Sequence, residues 1–121
     1  LPHMNKLLKQ NRENGQYYDQ QLKDIKGFKL MKNNPKCLPS YWLYTIRILN
    51  NKKYEFMTYM KSKNIMTSQV HNRNDINSCV KDYVIDLPNL NQFEKEMVCI
   101  PVGWWLTEDD RLYIVNCIKE F

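Results

Sequence analysis

The segment of residues 41–48, YWLYTIRI, constrains the fold of this chain more than any other part of it. Its aromatic and β-branched side chains favour a β-strand, in which Trp42, Tyr44, Ile46 and Ile48 would share one face because side chains alternate along a strand. That apolar face must be covered by other elements. A chain of 121 residues has room for one hydrophobic core and not for two, so the covering elements must belong to the same small domain.

The N-terminal part has the spacing of an amphipathic helix. Within residues 5–26, Tyr18, Leu22 and Ile25 follow one another at i, i+4 and i+7, which predicts a helix here. Gly27 is a suitable residue to end it, because glycine readily takes the positive φ of a helix C-terminus. The segment is otherwise polar, so we expect only one side of the helix to contact the core.

A loop, a second helix and a second strand are predicted around this first strand. Residues 31–40 carry two prolines and two asparagines and predict a loop, and the pair Asn50-Asn51 indicates a turn. Residues 52–63 have helical spacing, and Ile65–Val70 is predicted to form a strand after a left-handed stop at Asn64. The predicted buried side of this helix consists of Phe56, Tyr59, Met60 and the aliphatic stem of Lys63.

Two further elements are predicted in the C-terminal third. Residues 89–96 are expected to form a short helix, with Asn91 and Glu94 in the spacing of a weak capping box. Met97–Val102 is a compact apolar segment and predicts another strand. Pro101 in that segment indicates an edge strand or a strand end, because proline cannot donate a ladder hydrogen bond.

The last helix is the element that the sequence determines most strongly. Thr107 is a suitable N-cap, and the three acidic residues after it complement the helix dipole of a segment that extends to about Glu120. Its predicted buried side consists of Ile114, Cys117, Ile118 and Phe121. Taken in order, the elements predict an α/β (α+β) domain in which helices pack on a small sheet of about three to four strands.

Charge and cysteine content argue against several classes of protein. The formal net charge is +5, but the lysines are scattered, which favours a solvated surface over a nucleic-acid interface. No apolar run approaches the ~20 residues of a membrane span, and no signal peptide is expected.

The cysteines form no CxxC pair, so reduced thiols and a cytoplasmic location are expected, and His71 with Cys79 does not make a metal site. The four cysteines are Cys37, Cys79, Cys99 and Cys117.

The first four residues resemble the remnant of an expression tag. Leu1-Pro2-His3-Met4 is typical of a vector-derived leader, with Met4 as the start of the protein. We therefore expect residues 1–4 to be a scar and residues 5–121 to form the domain.

One polar stretch stands out as a candidate binding site. His71, Arg73, Asn74 and Asp75 follow a predicted strand, and together they offer a titratable ring, a fork-shaped cation and hydrogen-bond acceptors. Such a loop suits a hydroxylated or phosphorylated ligand. The alternative is a solvated loop whose Asn and Asp side chains close turns on their own backbone, and the residue chemistry by itself favours that alternative.

The pair Trp104-Trp105 is a second unusual feature. Adjacent side chains in an extended segment point in opposite directions, so we expect one indole in the core and the other against a neighbouring surface. Packing is favoured over cofactor stacking. With only three scattered glycines, the chain contains no glycine-rich phosphate loop, and nothing around the cysteines supports a Cys–His dyad.

Seven short stretches follow one another in a recognisable order. They are residues 12–22 (RxNxxxYxxxL), 40–47 (SYWLYTIR), 56–65 (FMxYMKxKNI), 68–75 (SxVHxRND), 87–89 (LPN), 100–103 (IPVG) and 106–110 (LTExD). In this order and spacing they resemble the C-terminal small domain of DegT/DnrJ-type pyridoxal-phosphate-dependent nucleotide-sugar aminotransferases, over about residues 11–121. The sequence departs from the family at Asn64, where a glycine is common, although asparagine also tolerates a positive φ.

The resemblance implies a fold and a function. The fold would be that of the small domain of fold-type I aminotransferases, and His71, Arg73, Asn74 and Asp75 would lie in the loop that faces the substrate. In the family, a large domain carries the lysine that forms the Schiff base and most contacts to the cofactor. This chain would then hold no cofactor, although the complete enzyme would use pyridoxal phosphate to build an amino-deoxysugar, usually with glutamate as amino donor.

The resemblance also implies partners and leaves one alternative open. The expected partners are the missing large aminotransferase domain, a nucleotide-sugar substrate in the complete enzyme and another copy of the chain in a homo-oligomer, with neither nucleic acid nor membrane. Alone, the chain should not catalyse transamination. The alternative is a non-enzymatic module derived from such a domain and reused for sugar binding or protein association.

Overall fold

The fold was obtained as a computed structural model that describes residues 2–121. Four α-helices and three β-strands occur in this part of the chain, together with two short 3-10 segments, Asn74–Ile76 and Ser78–Tyr83. In chain order they are α1 (Met4–Leu22), β1 (Phe28–Leu30), β2 (Tyr44–Ile48), α2 (Lys53–Ser62), α3 (Pro88–Glu96), β3 (Met97–Ile100) and α4 (Glu108–Glu120). The predicted fold class, a small sheet packed by helices, is confirmed.

The strands form one antiparallel sheet in the order β1-β2-β3. The central strand, β2, buries Tyr44, Ile46 and Ile48 on one face, as its alternating sequence predicts. Trp42 was expected on the same face, but it precedes the strand and is 72% exposed. The alternation therefore ends at Tyr44, and residues 42–43 are a bend.

The core lies between this face of the sheet and three of the helices. It joins Tyr18 and Leu22 of α1, Phe56 and Met60 of α2 and the buried side of α4. The apolar positions predicted for α2 and α4 are largely confirmed, since only Tyr59 and Phe121 are half-buried and Lys63 caps the end of α2. The buried residues of α4 are Ile114, Val115, Cys117 and Ile118.

The predicted end of the first helix differs from the structure. Helix α1 ends at Leu22 instead of at residue 26, and Gly27 uses its φ of +86° in the turn that leads into β1. The carbonyl of Gly27 accepts a hydrogen bond from the amide of Leu49 at 2.8 Å. Strand β1 itself has too few residues to show a periodic pattern, and the sequence did not predict it.

The strand predicted at Ile65–Val70 is absent. Only Ser68 pairs, in an isolated bridge in which its N–H and carbonyl bond the backbone of Cys99 at 3.2 and 2.8 Å. Asn64 has the predicted left-handed conformation, but Val70 also has a positive φ, of 41°, which β-branched residues rarely adopt. The positive φ of Val70 ends the extended backbone after Gln69, and the bridge at Ser68 does not continue into a ladder.

The N-termini of the last two helices can be compared with the capping residues that the sequence predicts. Helix α3 begins at Pro88, one residue before its predicted start, and Asn91 lies inside it, so the capping box with Glu94 is wrong. Helix α4 has the predicted N-cap: the Thr107 hydroxyl accepts from the Asp110 amide at 3.1 Å, and Asp110 in turn accepts from the Thr107 amide at 2.9 Å.

Helix α1 is fixed to the domain by a glycine and by buried polar groups. Gly15 lies under the ring of Tyr41, where a Cβ atom would come within 2.4 Å of the ring. The buried amide of Asn14 donates to the carbonyls of Val102 and Gly103 at 3.3 and 3.0 Å.

Met4 is the first residue of α1, and whether residues 1–4 are a tag remains a prediction, with Leu1 outside the described residues. None of the helices within residues 2–121 is both long and apolar enough to cross a bilayer.

Candidate functional site

The predicted binding loop lies between the bridge at Ser68 and the 3-10 segment that begins at Asn74. Its side chains fall into two groups. Arg73 and Asp75 are half-buried against α3, whereas His71 and Asn74 are exposed. The four residues that the sequence singled out therefore do not converge on one point, and each has its own surroundings.

Arg73 is held by residues of its own loop and of α3. Its Nε donates to the Asp75 carboxylate at 2.8 Å, and Nη2 makes a second, parallel contact with that carboxylate. Nη1 donates to the Asn91 side chain and lies 3.8 Å from the Glu94 carboxylate. A guanidinium bonded in this forked way is fixed in orientation, and two of its five N–H donors are not used in these hydrogen bonds.

The ion pair also shifts the pKa values of both partners. The hydrogen bond from Arg73 holds the pKa of the Asp75 carboxyl below its usual value, and the hydrogen bond to Asp75 raises the pKa of Arg73. Both groups therefore stay charged at neutral pH. The loop presents a rigid, locally neutral pair instead of a free cation and a free anion.

His71 lies beside an exposed tryptophan. Its ring centroid is 6.0 Å from that of Trp42, with the ring planes tilted by 56°. The backbone carbonyl of His71 accepts a hydrogen bond from the side chain of Gln69 at 3.3 Å. The imidazole and the indole thus form an exposed pair of flat rings next to the Arg73 ion pair.

Asn74 contributes backbone rather than side chain to the described contacts. Its carbonyl accepts from the amide and the side chain of Asn77 at 3.2 and 2.9 Å, and these two bonds close the first 3-10 turn. The side chain of Asn74 is left at the surface. Whether His71, Arg73, Asn74 and Asp75 bind substrate remains a prediction.

Lys53 is a buried lysine that sequence analysis placed on the solvated surface. Only 2% of the residue is exposed, and its ammonium donates to the Gln69 side chain at 2.6 Å and to the Glu94 carbonyl at 2.7 Å. Burial lowers the pKa of Lys53, and the Glu94 carboxylate and Cys99 partly oppose that shift. Nothing in the sequence marks Lys53 apart from its exposed neighbour Lys52, because the burial comes from tertiary packing.

The tryptophan pair does not divide between core and surface as expected. Trp104 is 49% exposed and Trp105 is 64% exposed, and their rings meet edge to face at 5.9 Å. The ring of Trp105 folds back over the backbone of Gly103, at a distance where a Cβ atom would clash. The chain turns at residues 104–105, and in a turn adjacent side chains can leave on the same side.

The buried lysine of the described residues and the backbones of Gly15 and Gly103 do not form a site for pyridoxal phosphate. That cofactor requires a lysine amine open to a cavity and a set of donors around its phosphate. Among the lysines of residues 2–121, the buried one is Lys53, and its ammonium is already bonded to Gln69 and Glu94. The backbones of Gly15 and Gly103, where a phosphate could approach, are covered by aromatic rings.

Cysteine and acidic groups do not suggest a metal centre either. All four cysteines are unpaired, with Cys99 and Cys117 buried and Cys37 and Cys79 exposed. Within residues 2–121, no three His, Cys, Asp or Glu side chains cluster in a way that could hold a metal ion.

Comparison with known proteins relates this chain to one group of enzymes. The sequence is 24% identical over 131 aligned residues to the dTDP-4-amino-4,6-dideoxy-D-glucose transaminase of Shigella dysenteriae, covering 99% of this chain and 34% of that protein. The structure is similar to sugar aminotransferase CalS13 from Micromonospora echinospora, with a TM-score of 0.90 and 38% identity over 96% of this chain and 31% of that chain. AtS13 from Actinomadura melliaura gives a TM-score of 0.88 and 33% identity over 97% of this chain and 31% of that one.

These similarities extend over nearly the whole chain but over only about a third of each relative. The sequence model of the DegT/DnrJ/EryC1/StrS aminotransferase family matches residues 1–119. The order of short motifs, the three-stranded sheet with its helices and this match agree with one another. The chain belongs to the DegT/DnrJ/EryC1/StrS aminotransferase family.

Proposed function

We propose that this chain is the C-terminal small domain of a nucleotide-sugar aminotransferase that makes an amino-deoxysugar. In that enzyme it contributes the substrate-facing wall of the active site and is not catalytic alone. The observation that carries the proposal is the loop at residues 71–75, which leaves His71 exposed beside Trp42 and holds Arg73 in a fixed orientation.

The chemistry of the substrate is inferred from the relatives. The Shigella dysenteriae protein is by name a transaminase of a dTDP-linked amino-dideoxy sugar, and CalS13 is a sugar aminotransferase. A nucleotide-sugar offers hydroxyl groups, a diphosphate and a flat base. The loop supplies partners for the first two classes of group, because Arg73 has N–H donors left and Asn74 and Asp75 carry acceptors.

Each residue of the loop has a proposed role. His71 and Arg73 bind or orient the nucleotide-sugar, while Asn74 and Asp75 hold the loop or contact hexose hydroxyls. The bidentate contact between Asp75 and Arg73 supports the holding role of Asp75. Because the guanidinium is already oriented, little side-chain entropy is lost when a ligand binds to it.

The rest of the enzyme supplies the reacting groups in this proposal. A large aminotransferase domain, which would correspond to the part of the relatives that this chain does not match, holds pyridoxal phosphate and the lysine that binds it. When bound there, pyridoxal phosphate supplies an electron sink for transfer of the amino group, with glutamate as the usual donor. A cytoplasmic location and a homo-oligomer are part of the same proposal.

A second candidate function is favoured by one feature of the surface. Trp104 and Trp105 are 49% and 64% exposed, and an exposed aromatic pair is typical of a surface that binds a partner. A non-enzymatic module, derived from this domain and used for sugar binding or protein association, would use such a surface. The complete reading frame separates the two functions, because the enzyme requires a lysine-bearing aminotransferase domain and the module does not.

The kinetic test uses the complete enzyme. We expect His71→Ala and Arg73→Ala to lower kcat/KM for the nucleotide-sugar by about ten- to a hundred-fold, since losing one charged hydrogen-bonding partner costs about 1.5–3 kcal/mol. Lys81→Ala is the control, because Lys81 is an exposed cation of the neighbouring 3-10 segment. Thermal stability should change little in all three variants.

Two results would contradict the proposal. Unchanged kcat/KM in both loop variants would make the loop a solvated turn. A loss of stability that accounts for the whole loss of activity would make Arg73 a structural residue.

A further inference from the structure

Lys53 is a buried charged residue that the proposed function does not use. It is the first residue of α2, and its ammonium lies between two other parts of the chain. One contact is with the Gln69 side chain at 2.6 Å, just before the loop, and the other is with the Glu94 backbone carbonyl at 2.7 Å, in α3. Lys53 therefore connects α2 both to the loop and to the helix against which the loop packs.

The first connection continues to the backbone of His71. The Gln69 side-chain amide accepts from Lys53 through its oxygen and donates through its nitrogen to the His71 carbonyl at 3.3 Å. A single amide thus relays the position of the ammonium to the residue that carries the exposed imidazole. Because Gln69 uses both ends of its amide, its orientation is defined by these two bonds.

The second connection continues to Arg73. Glu94 gives its backbone carbonyl to Lys53, and its carboxylate lies 3.8 Å from Nη1 of Arg73. The residue that orients Lys53 on one side therefore also contacts the guanidinium of the loop. Both ends of the 71–73 segment are linked to the same ammonium through one intermediate residue each.

We propose that Lys53 is a positioning residue that holds the 69–73 segment in the conformation that presents His71 and Arg73. This inference rests on the proposed function, because only a substrate-facing loop requires a fixed presentation. Lys53 acts through Gln69 and Glu94 and touches no substrate itself.

Burial of a lysine is better explained by such a role than by stability. An apolar side chain of similar length would fill the same space without the loss of hydration that a buried ammonium suffers. What the apolar side chain would lack is the ability to bind Gln69 and the Glu94 carbonyl at once. The contacts of Lys53 therefore serve to position the loop and not to stabilise the fold.

The direct test measures backbone order in this chain by NMR relaxation. We expect order parameters of about 0.85 for residues 70–73 in the unmodified chain and below about 0.6 in Lys53→Met, with those of β2 unchanged. Lys52→Met is the matched control, because Lys52 is the exposed neighbour that pairs with Glu55 at 3.5 Å. It should leave the loop as ordered as in the unmodified chain.

A second variant keeps the test valid if Lys53→Met does not fold. Gln69→Leu breaks the relay to His71 but leaves the ammonium bonded to Glu94, so it should loosen residues 70–73 in the same way. In the double variant the loss of order should be no larger than in Lys53→Met alone, because that substitution already interrupts the path through Gln69.

Trp42 gives an independent optical readout. In a chain with Trp104→Phe and Trp105→Phe, Trp42 is the only remaining tryptophan, and the ring of His71 lies beside it. His71→Gln changes the surroundings of the indole, and the resulting shift of Trp42 emission calibrates the probe. Lys53→Met and Gln69→Leu should each shift the emission in the same direction, because the two rings no longer stay together.

The proposal is overturned if Lys53→Met and Gln69→Leu are folded and residues 70–73 remain as ordered as before. It is also overturned if order is lost equally in β2, since Lys53 would then support the whole core. Failure of the proposed function looks different. In that case the loop would loosen as predicted, but Lys53→Met and His71→Ala would leave kcat/KM for the nucleotide-sugar unchanged in the complete enzyme.

Discussion

The sheet with α1, α2 and α4 differs sharply from residues 64–87 in how its side chains are buried. The first region, together with the segment that joins β3 to α4, contains all but one of the apolar core residues, and its buried Asn14 and Tyr18 side chains donate to carbonyls within the domain. In the second region only Ile65 is buried, and six large apolar side chains are more than 40% exposed. These six are Met66, Val70, Ile76, Tyr83, Val84 and Ile85.

The difference shows which part of the molecule is complete by itself. The first region gains its stability from its own contacts, as a folded domain must. The second region has a defined path but few buried apolar contacts, so its conformation depends on polar links such as Arg73–Asp75 and Lys53–Gln69. Exposed apolar side chains concentrated in one segment are typical of a surface that another body covers. This contrast fits a domain whose loop side faces the rest of an enzyme.

Core truncation should show the largest contrast between the two regions. Phe56 is fully buried and packs edge to face on Phe28 and Phe121 at 5.5 and 5.3 Å. Phe56→Ala should therefore lower the free energy of unfolding by about 3–5 kcal/mol. Ile85→Ala in the second region should change it by less than about 0.5 kcal/mol, because Ile85 is 68% exposed. Urea denaturation measures both, and similar losses would mean that residues 64–87 are part of the same core.

Alkaline pH should weaken the first region through two buried tyrosines. Burial raises the pKa of Tyr18 and of Tyr44 above the ordinary value of 10.0, and hydrogen bonding to Asp19 raises that of Tyr44 further. A raised pKa in the folded state means that stability is complete below about pH 10 and is lost as the pH rises above it. At pH 11 the loss should be about 1.4 kcal/mol for each tyrosine.

The measurement is the urea midpoint between pH 9 and pH 11. Tyr44→Phe removes one ionisable group and should reduce the alkaline slope by about a third. The rest of the slope comes from Tyr18 and from Tyr41, because burial and a hydrogen bond to Asp19 raise the pKa of Tyr41 to about 12. Equal slopes in the unmodified chain and Tyr44→Phe would show that Tyr44 ionises as freely in the folded state as in the unfolded one.

The close contact between Gly15 of α1 and the Tyr41 ring should reverse the usual gain in helix stability when alanine replaces glycine. Alanine normally stabilises a helix by about 1 kcal/mol relative to glycine. At Gly15, however, the added Cβ would lie 2.4 Å from the Tyr41 ring, whose hydroxyl donates to Asp19 at 2.7 Å. Gly15→Ala should therefore cost about 1–3 kcal/mol, since the ring and its hydrogen bond must move. A stabilised Gly15→Ala variant in thermal denaturation would show that Tyr41 is free to move away.

The same two regions differ in how well their sequence predicts their structure. Strand β2 and helix α4 follow from alternation and from the Thr107 cap, because these signals are local. The strand expected at Ile65–Val70 failed because only Ser68 pairs with β3 and Val70 has a positive φ. Local propensity cannot reveal a positive φ at a β-branched residue, since only the surrounding structure can hold it.

The candidate site was predictable in composition but not in geometry. The residue types of His71 and Arg73 marked the loop, yet the sequence gives no sign that Arg73 and Asp75 bind each other or that Asn91 joins them. Lys53 was missed for a related reason. A charged side chain beside another lysine is normally solvated, and only the tertiary fold buries this one.

The most direct measurement of the central claim is amide hydrogen exchange in this chain alone and in the complete enzyme. The account predicts that residues 70–87 exchange quickly in the chain and become at least ten-fold more protected in the enzyme, while β2 and α4 exchange alike in both. Addition of the nucleotide-sugar should protect residues 71–75 further. Equal exchange of residues 70–87 in the chain and the enzyme, with no response to the nucleotide-sugar, would contradict the claim that this loop forms a wall of the active site.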